Sequence, residues 1–549
     1  MKSKLLKRLL LLGTLLCFGL VKSQTVTGIV SDKTGPLPGV NVLVKGTTNG
    51  TQTDFDGNYT LDNVSNDATL VYSYIGFQTT EIQVNGRSSI DVILEENASE
   101  LDEVVLIGYG SQRKSDLTGA VGQVDTEQLK ERPATSLNQA LSGKIAGVQV
   151  NTNSGRPGGK SNIRIRGFSS INSSNNPLYV VDGVQLPQGN LDQFSSAIDY
   201  LNPNDVVSIE VLKDASSTAI YGARGANGVI LITTKRGKAG QGRVTYDATF
   251  SVNQFGPNRA KVLNSAEYAM VEQLAWENSA KFDPEGWAAG NYAQYEPRLK
   301  RADPLMADLF DSNGNAIYDT DWSKEVVQHN LSQNHQLGFS GGNEKTTYAI
   351  SLGIRDDQGL LKDTYLKRYS GRFSIDDQIQ SWLKIGGSLS YNYQTENLAD
   401  TNDEVPRRMV EDFPFLPVRY ESGPKEGEFA DNRDYPFAEG TRNSVHRLNS
   451  QKYILNTQTI SGSVYSNINF AENLQMRTVL GTNVLTQENN EFSDSTLDSN
   501  GRAFASSSNE KNTFWSLENY LTYTKDFDEN NALTALLGIS WQESNNFYV

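Results

Sequence analysis

Three runs of sequence between residues 163 and 235 decide the fold: IRIRGF (Ile163–Phe168), PLYVVDGV (Pro177–Val184) and VVSIEVLKDASSTAIYGARGANGVILITTK (Val206–Lys235). Glycine, proline, asparagine and aspartate bound four short β-type segments in them, which predicts a small sheet with tight turns. The segments are Ile163–Phe168, Leu178–Val184, Val206–Leu212 and Val229–Thr234. Charged side chains lie in these segments or their turns: Arg164, Arg166, Glu210 and Arg224. Because buried charges need partners, the pattern indicates a domain that fills a polar lumen, with these four side chains paired to a surrounding wall.

Together with the N-P-N-D-V turn at Asn202–Val206, these runs resemble the plug domain of the SusC-like TonB-dependent outer-membrane transporters. The resemblance covers essentially everything after the first two dozen residues. It implies a mainly β protein with an N-terminal β-sandwich, an α+β plug domain and the first part of a large antiparallel transmembrane β-barrel. We expect the plug to occupy residues 115–238.

The N-terminal segment and the charge balance narrow the function further. Lys2, Lys4, Lys7 and Arg8 precede the apolar run Leu9–Leu20, which is typical of a secretory signal peptide, so we expect residues 1–23 to be removed. A lipoprotein anchor on Cys17 is the less favoured alternative, because Leu16 precedes it where a small residue is expected. The mature chain then has no thiol, which excludes disulfides and cysteine catalysis. Removal of five cations changes the net charge from −15 to −20, so nucleic acid is not an expected partner.

Residues 24–97 have alternating strands and turn residues and resemble the carboxypeptidase regulatory-like domain, a non-catalytic sandwich that precedes many such transporters. Residues 98–114 follow as an acidic entry, an apolar run and a Gly-Tyr-Gly break. A segment of this kind can add as a strand to the sheet edge of another protein. The resemblance implies that it is the TonB box, held by TonB through Asp102, Glu103, Val104, Val105, Leu106 and Ile107. A plain interdomain strand is the alternative.

From Arg243 onward the sequence shows long, regular alternation, which predicts nine strands in residues 239–549. Their connections alternate between short turns and long loops, as in outer-membrane barrels. Nine strands cannot close such a barrel, since single-chain bacterial barrels have even strand numbers and plugged transporters have about 22. We therefore expect the chain to be the N-terminal part of a longer protein or a truncated product.

Aromatic and acidic residues in the first long loop are candidate binding residues. Trp276, Trp287, Tyr292 and Tyr295 can stack on sugar faces, although they equally suit packing against protein. An oxygen-rich run is a weak calcium candidate. A solvated loop is the favoured interpretation, because the glycine of the run is misplaced for an EF-hand. The proposed calcium ligands are Asp311, Asn313, Asn315 and Asp319.

The sequence patterns that could indicate catalysis lack the structural context that catalysis requires. Gly338–Gly342 matches G-x-S-x-G, but its serine ends a strand that turns directly into another strand, whereas a nucleophile elbow joins a strand to a helix. The three histidines, His329, His335 and His446, are not at metal-ligand spacings. We expect no enzymatic activity, no catalytic residue, no metal and no cofactor.

The resemblance implies TonB-dependent import of a large nutrient, with an oligosaccharide as the favoured cargo. The expected partners are TonB with its inner-membrane motor complex, a SusD-like surface lipoprotein and outer-membrane lipid. The expected location is the outer membrane of a Gram-negative bacterium, with the regulatory-like domain and the TonB box in the periplasm. A receptor for peptides, siderophores or vitamins is one alternative, and an exported binding protein or adhesin that does not transport is another.

Overall fold

The computed structural model describes residues 23–549 except 33–34, 48, 75–76, 96–103, 108–109, 114–120, 126–135, 153, 173, 188–197, 199, 255–260, 399–403, 436–441, 499 and 529–530. The predicted signal peptide and two box residues, Asp102 and Glu103, therefore lie outside the described residues, apart from Ser23. The chain divides into two compact units: residues 1–107 with 111–117, and residues 108–110 with 118–549.

The first unit contains a sandwich of two small sheets. Strands β1 (Ser23–Ser31), β4 (Asn58–Ser65) and β7 (Val92–Ile93) form one sheet in the order β4-β1-β7. The other has the order β3-β2-β5-β6 and consists of β2 (Asn41–Val44), β3 (Gly50–Gln52), β5 (Thr69–Ser73) and β6 (Thr80–Gln83). Alternate residues of β1, β2, β4 and β5 face a shared apolar core, in which the Tyr59 hydroxyl donates to the Ile90 carbonyl at 2.9 Å. Farther along the chain, β8 (Val104–Ile107) pairs with β9 (Gly110–Arg113).

The second unit begins with the plug, in which helix α1 (Leu137–Ala140) and helix α2 (Ala215–Thr218) accompany the strands. Five strands form a mixed sheet in the order β10-β15-β16-β13-β14, with β13 and β16 parallel. They are β10 (Val121–Asp125), β13 (Leu178–Val181), β14 (Val184–Gln185), β15 (Val206–Leu212) and β16 (Val229–Thr234). A separate hairpin joins β11 (Val148–Thr152) and β12 (Ser161–Ile165). Valine, isoleucine and leucine from these strands, with α1, form one buried core.

Two predicted plug strands differ from the expectation because their backbones turn. Strand β12 ends before Arg166, whose φ is 57°, so the run does not continue to Phe168. The predicted strand Leu178–Val184 is divided by a turn at Asp182 and Gly183, which have φ of 50° and 89°. Positive φ at both central residues is typical of a tight two-residue hairpin, for which Asp-Gly is a preferred pair.

The rest of the second unit is a nine-stranded antiparallel sheet, here called the wall, in which every strand pairs with its neighbours in sequence. The prediction of a mainly β protein with nine wall strands is confirmed. The wall consists of β17 (Gly240–Val252), β18 (Leu331–Gly342), β19 (Thr346–Gln358), β20 (Tyr365–Gln380), β21 (Leu383–Asn397), β22 (Gln451–Ala471), β23 (Leu474–Ser493), β24 (Phe504–Asp528) and β25 (Asn531–Tyr548). Ser340 pairs with Ala349 in the β18–β19 hairpin, so its motif does not form a nucleophile elbow.

The two faces of the wall differ in polarity. On β20, Tyr369 and Phe373 are 50% and 42% exposed, whereas the intervening Arg372 is 9% exposed. The same alternation continues in β21, where Leu389, Tyr391 and Tyr393 are exposed and Asn392, Gln394 and Glu396 are buried. Because successive side chains of a strand point to opposite faces, one face is polar and covered and the other is apolar and open.

The two longest connections of the wall fold into helices that share a core. The first contains α3 (Ser265–Phe282), α4 (Pro284–Ala288), α5 (Pro297–Arg301) and α6 (Trp322–Val326), and the second contains α7 (Glu404–Glu411) and α8 (Ser444–Ser450). Short 3₁₀ turns lie at Pro203–Asp205, Ala219–Gly225, Ala293–Tyr295, Pro304–Met306, Asn432–Asp434 and Ser495–Leu497. The loop core contains Leu309, Phe310, Trp322, Phe415, Leu416, Tyr420, Ala430 and Tyr435. Among the described residues, none of the helices combines the length and the hydrophobicity that crossing a membrane would require.

Candidate functional site at the interface of plug and wall

The Asp182-Gly183 turn presents a carboxylate to the polar face of the wall. Asp182 accepts hydrogen bonds from the Thr234 backbone N–H at 3.0 Å and from the Thr234 hydroxyl at 2.6 Å, which fixes the turn to strand β16. Arg372 of the wall donates to the same carboxylate at 2.9 Å and also to the Thr234 hydroxyl. The turn therefore joins the plug sheet to strand β20 through an ion pair.

Burial and charge act in opposite directions on Asp182. Desolvation raises the pKa of this carboxyl, but the guanidinium groups of Arg372 and Arg236, with the two Thr234 hydrogen bonds, outweigh it and leave the pKa below its usual range. The side chains of Asp182 and Arg372 are 5% and 8% exposed. A pair this buried stays favourable only while both partners are present.

Arg236, just after β16, connects this pair to a second carboxylate of the wall. Its guanidinium lies 4.0 Å from Asp182 and donates to Asp376 at 2.7 Å. Tyr465 donates its hydroxyl to the same Asp376 at 2.6 Å, and its ring faces Arg236 at 5.3 Å and Arg477 at 4.5 Å. Two carboxylates, three arginines and one tyrosine thus form a single charge network across the interface.

A second ion pair lies near the end of the wall strands that carry the long loops. Arg156, between β11 and β12, donates to Glu396 of β21 at 2.6 Å, and the two side chains are 9% and 2% exposed. Gln394 donates to the other oxygen of Glu396 at 2.6 Å. Gly158 passes so close that a Cβ atom there would lie 2.5 Å from Glu396, and its φ of 73° also favours glycine.

Hydrogen bonds from uncharged side chains extend the interface near the 3₁₀ turn Pro203–Asp205 of the plug. Gln336 donates to Asp205 at 2.6 Å, and Tyr200 and Ser461 hydroxyls lie 3.3 Å apart. Burial raises the pKa of Asp205, and the Ser351 hydrogen bond, the charges of Arg372 and Lys235 and the Gln336 hydrogen bond oppose that rise only in part. Uncharged donors therefore hold a carboxyl whose ionised form is disfavoured by desolvation.

One apolar contact completes the interface. Val184, next to the Asp182-Gly183 turn, is buried with Tyr465, Val479, Phe514 and Tyr520 of the wall. Its methyl groups lie directly above Gly481, where an added Cβ would approach them to 2.5 Å. The absence of a side chain at 481 thus creates the space that Val184 occupies.

The four predicted wall contacts have different positions. Arg224 donates to Gln542 of β25 and, at 2.7 Å, to the Leu186 carbonyl of the plug. Arg164 and Arg166 differ from the expectation: Arg164 donates to Asn176 at 2.6 Å and Arg166 to Asp214 at 2.5 Å, both within the plug.

Glu210 is also held inside the plug. It is buried on strand β15 and accepts from Ser208 at 2.6 Å. These partners lie within the plug: Asn176 precedes β13, Asp214 follows β15, and Ser208 lies on β15. Of the predicted residues, Arg224 contacts the wall. The residues that form the ion pairs across the interface were not predicted; they are Asp182, Arg236, Arg372, Asp376, Arg156 and Glu396. Aspartate and arginine at alternate positions of β20, between exposed aromatics, are the sequence signal that would have found two of them.

The aromatic residues of the first long loop pack on one another. The rings of Trp276 and Trp287 lie 4.7 Å apart and those of Trp287 and Tyr292 6.3 Å apart. Trp276 donates its indole N–H to the Tyr292 carbonyl at 3.2 Å, and Tyr292 donates to Asp283 at 2.8 Å. Tyr295 is half exposed. The first three rings thus support the loop, and their role as ligand contacts stays a prediction.

The candidate calcium ligands bind different parts of the protein. Asp311 accepts from the backbone N–H groups of Asn313 at 2.9 Å and Asn315 at 2.8 Å, which is a turn-capping arrangement. Asp319 instead accepts from Ser265 at the start of α3. No cluster of three or more metal-ligating side chains occurs among the described residues. The carboxylates of the run thus accept hydrogen bonds from backbone and hydroxyl donors, and the calcium assignment stays a weak prediction.

Comparisons with known proteins agree with this arrangement. Residues 113–229 match the family described as TonB-dependent Receptor Plug Domain, and residues 26–106 match the CarboxypepD_reg-like domain. TonB-dependent receptor P39 of Formosa agariphila is 34% identical over 520 residues, which cover 94% of this chain and 46% of the relative. Over nearly its whole length, the chain is similar to TonB-dependent receptors.

Within the TonB-dependent receptors, the chain is similar to the SusC type. TonB-dependent receptor SusC of Bacteroides thetaiotaomicron is 38% identical over 397 residues, 72% of this chain and 36% of SusC. The solved structure of the RagAB peptide importer in the open-open state is 27% identical with a TM-score of 0.66, over 81% of this chain and 49% of that one. The predicted resemblance to SusC-like receptors is confirmed. The chain spans about half the length of the curated relatives it matches, or less. All are named receptors, in agreement with the prediction of a non-enzyme.

The TonB box and the domain boundaries stay predictions. Val104–Ile107 form strand β8, which pairs with Gly110–Arg113, while Asp102 and Glu103 lie outside the described residues. A short paired strand is compatible with both interpretations, a box and a plain connecting strand.

Proposed function

We propose that this receptor imports a large nutrient across the outer membrane of a Gram-negative bacterium, driven by TonB and assisted by a SusD-like surface lipoprotein. The observation that carries the proposal is the seating of the plug. Its edges bind the polar face of the wall through buried ion pairs, Asp182 with Arg372 and Arg156 with Glu396. A domain held by a few discrete polar contacts can be released by a pull without unfolding the sheet around it.

The wall supports the proposed location. Its open face carries aromatic and aliphatic side chains, and its covered face carries charged, amide and hydroxyl groups. Apolar residues outside and polar residues inside are the arrangement of strands that face lipid on one side and a lumen on the other. The regulatory-like domain and the box would then lie in the periplasm.

Two cargo classes follow from two relatives. The relation to SusC and the neutral polar groups of the wall's covered face, among them Asn392, Gln394 and Thr459, favour an oligosaccharide. The likeness to the RagAB peptide importer favours a peptide. Uptake of labelled oligosaccharides and peptides by cells that carry or lack the gene distinguishes them.

Deleting Asp102–Ile107 tests the mechanism. Strand addition to TonB needs this backbone, so we expect uptake to fall to the level of the null strain while surface binding of the cargo persists. Deletion of residues 96–100, which shortens the same linker but keeps the proposed box, is the matched control and should retain uptake. Normal uptake by the Asp102–Ile107 deletant would refute the proposal, since force would then reach the plug without the box.

A further inference from the structure

A cleft of about 300 Å³ opens among the loops that connect the wall strands. It lies between helix α6, the β19–β20 turn and helix α8, and its lining includes Glu325, Lys362, Asp363, Leu448 and Asn449. This volume is at the lower end of the range for small-ligand pockets.

The cleft is built on a fixed base. Val326, Val405 and Leu448 form a buried apolar cluster beneath it, with Leu361 and Val445 packed alongside. Backbone hydrogen bonds tie α6 to the turn, from the Gln328 N–H to the Leu360 carbonyl at 2.8 Å and from the Lys362 N–H to the Val326 carbonyl at 2.9 Å. The Gln328 amide also donates to the carbonyls of Gly359 and Leu361. The backbone of the lining residues is therefore positioned by the fold, while the Lys362 side chain is exposed to solvent.

Two opposite charges line the cleft without pairing. Some acidic and basic groups of the loops form ion pairs, such as Lys425 with Asp434 at 2.5 Å and Lys324 with Asp321 at 2.9 Å. Within the described residues, neither the Glu325 carboxylate nor the Lys362 ammonium has an ion-pair partner, although both face the same space. Asp363, beside Lys362, pairs only loosely with Lys452 at 3.7 Å.

The backbone of Asp363 is also unusual. Its φ is 63°, a left-handed conformation that non-glycine residues rarely adopt and that often marks a functional position. Asn397 of the wall stabilises it by donating to the Asp363 carbonyl at 2.7 Å. Glu396, the residue before Asn397, binds Arg156 of the plug. Asp363 of the cleft is therefore held by a residue that is adjacent in sequence to the ion pair that seats the plug.

We infer that this cleft binds a small zwitterion, with an ammonium group at Glu325 and a carboxylate at Lys362. Free α-amino acids and the ends of short peptides share this chemistry, whereas a neutral sugar lacks both charges. Charge-assisted hydrogen bonds at both ends, over the apolar base at Leu448, would hold such a ligand. The inference rests on the proposed function, which places the loops on the outer surface. It deepens that proposal, because it favours a peptide over an oligosaccharide as cargo.

Isothermal titration of the full chain in detergent micelles tests the inference. The probes are alanine, dialanine, the uncharged N-acetyl-dialanine amide and a neutral disaccharide. We expect the zwitterions to bind and the two uncharged compounds not to bind. Equal affinity for alanine and dialanine identifies a free amino acid as sufficient, and tighter binding of dialanine identifies a peptide. Absence of binding by both zwitterions, or equal binding of the blocked dipeptide, overturns the inference.

Matched variants assign the two charges. Glu325→Gln and Lys362→Met should each weaken zwitterion binding by about tenfold or more, the effect of losing one charge-assisted hydrogen bond. The double exchange Glu325→Lys with Lys362→Glu should restore affinity to within about threefold of wild type, because a zwitterion can bind in the reverse direction. Glu421→Gln, an exposed carboxylate in the same loops, should leave affinity unchanged.

Circular dichroism melting of every variant separates lost binding from lost folding. Well-folded single variants with wild-type affinity would refute the inference. The titration requires neither TonB nor uptake, so its failure leaves the proposed import function intact. Conversely, failure of the box-deletion experiment would not affect the measured affinities.

Discussion

The buried pair of Asp182 and Arg372 makes the most direct prediction about how the plug is held. Replacing Asp182 by Asn should weaken the seating of the plug by about 3–5 kcal/mol, the usual effect of removing one partner from a buried ion pair. Asparagine tolerates the left-handed turn and can still accept from Thr234, so the substitution removes charge and little else. Arg372, whose side chain is 8% exposed, is then left without its anion at 2.9 Å. Arg236 adds less, because it is 24% exposed and keeps Asp376.

Plug release can be followed with a single fluorophore. In a Cys17→Ser background the chain has no native thiol, and Ile171, which is fully exposed on the plug, accepts a cysteine label with little disturbance. Urea titration of the labelled protein in detergent micelles then reports the free energy of plug release. The predicted change corresponds to a shift of roughly two to four orders of magnitude in the release equilibrium.

Two comparisons decide whether the reasoning holds. Asp214→Asn removes an ion pair of the same plug whose arginine, Arg166, is 51% exposed, so it should change the free energy by about 0–1 kcal/mol. Combining Asp182→Asn with Arg372→Gln should cost less than the sum of the single effects, since the second substitution removes the stranded charge. Equal effects of Asp182→Asn and Asp214→Asn, or strict additivity in the double variant, would refute the interpretation.

Two further predictions concern the plug loop and the second long connection. Gly158→Ala should destabilise the seated plug by about 1–3 kcal/mol more than Gly143→Ala in the same urea assay, because both have left-handed φ but only the Gly158 site places Glu396 against the new methyl group. Indistinguishable effects would show that the loop can move away. Burial lowers the pKa of His446 to about 4, with Arg442 and Arg419 adding to the effect, so the loops should be stable at neutral pH and lose up to about 3 kcal/mol as the pH falls from 6.5 towards 4. Thermal melts across this range should show the loss in the wild type and a reduced loss in His446→Phe, and equal pH dependence in both proteins would contradict the assignment.

The strands were predictable because the polarity of successive residues in each strand reflects which face is buried. In β20 and β21, alternating residues are exposed aromatics and buried polar groups, so period and polarity can be read from neighbouring positions. The short turns and long connections could be predicted too, because they are the stretches of sequence between these alternating segments. The nine wall strands follow from this local information, whereas the plug sheet also includes β10, and β12 pairs with β11 in a separate hairpin.

The partners of the charges were not predictable from the sequence. Arg164 and Arg166 alternate with isoleucines as wall-facing residues would, yet Asn176 and Asp214 satisfy them inside the plug. Asp182 belongs to an ordinary Asp-Gly turn, and only the fold brings Arg372 to it. A local pattern indicates that a buried charge needs a partner, whereas the identity of that partner depends on tertiary packing.

The polar contacts of the plug also have a consequence for biogenesis. The plug precedes the wall in the chain, yet Asp205, Asp182, Arg156 and Arg224 bind side chains that lie 131, 190, 240 and 318 positions downstream. A ribosome therefore completes the plug well before its polar partners in the wall exist, and contacts so distant in sequence form slowly. During that interval the acidic and basic groups must remain hydrated or be shielded by an escort protein. Docking of the plug is accordingly expected to be a late step of maturation, after the strands that receive it have been inserted.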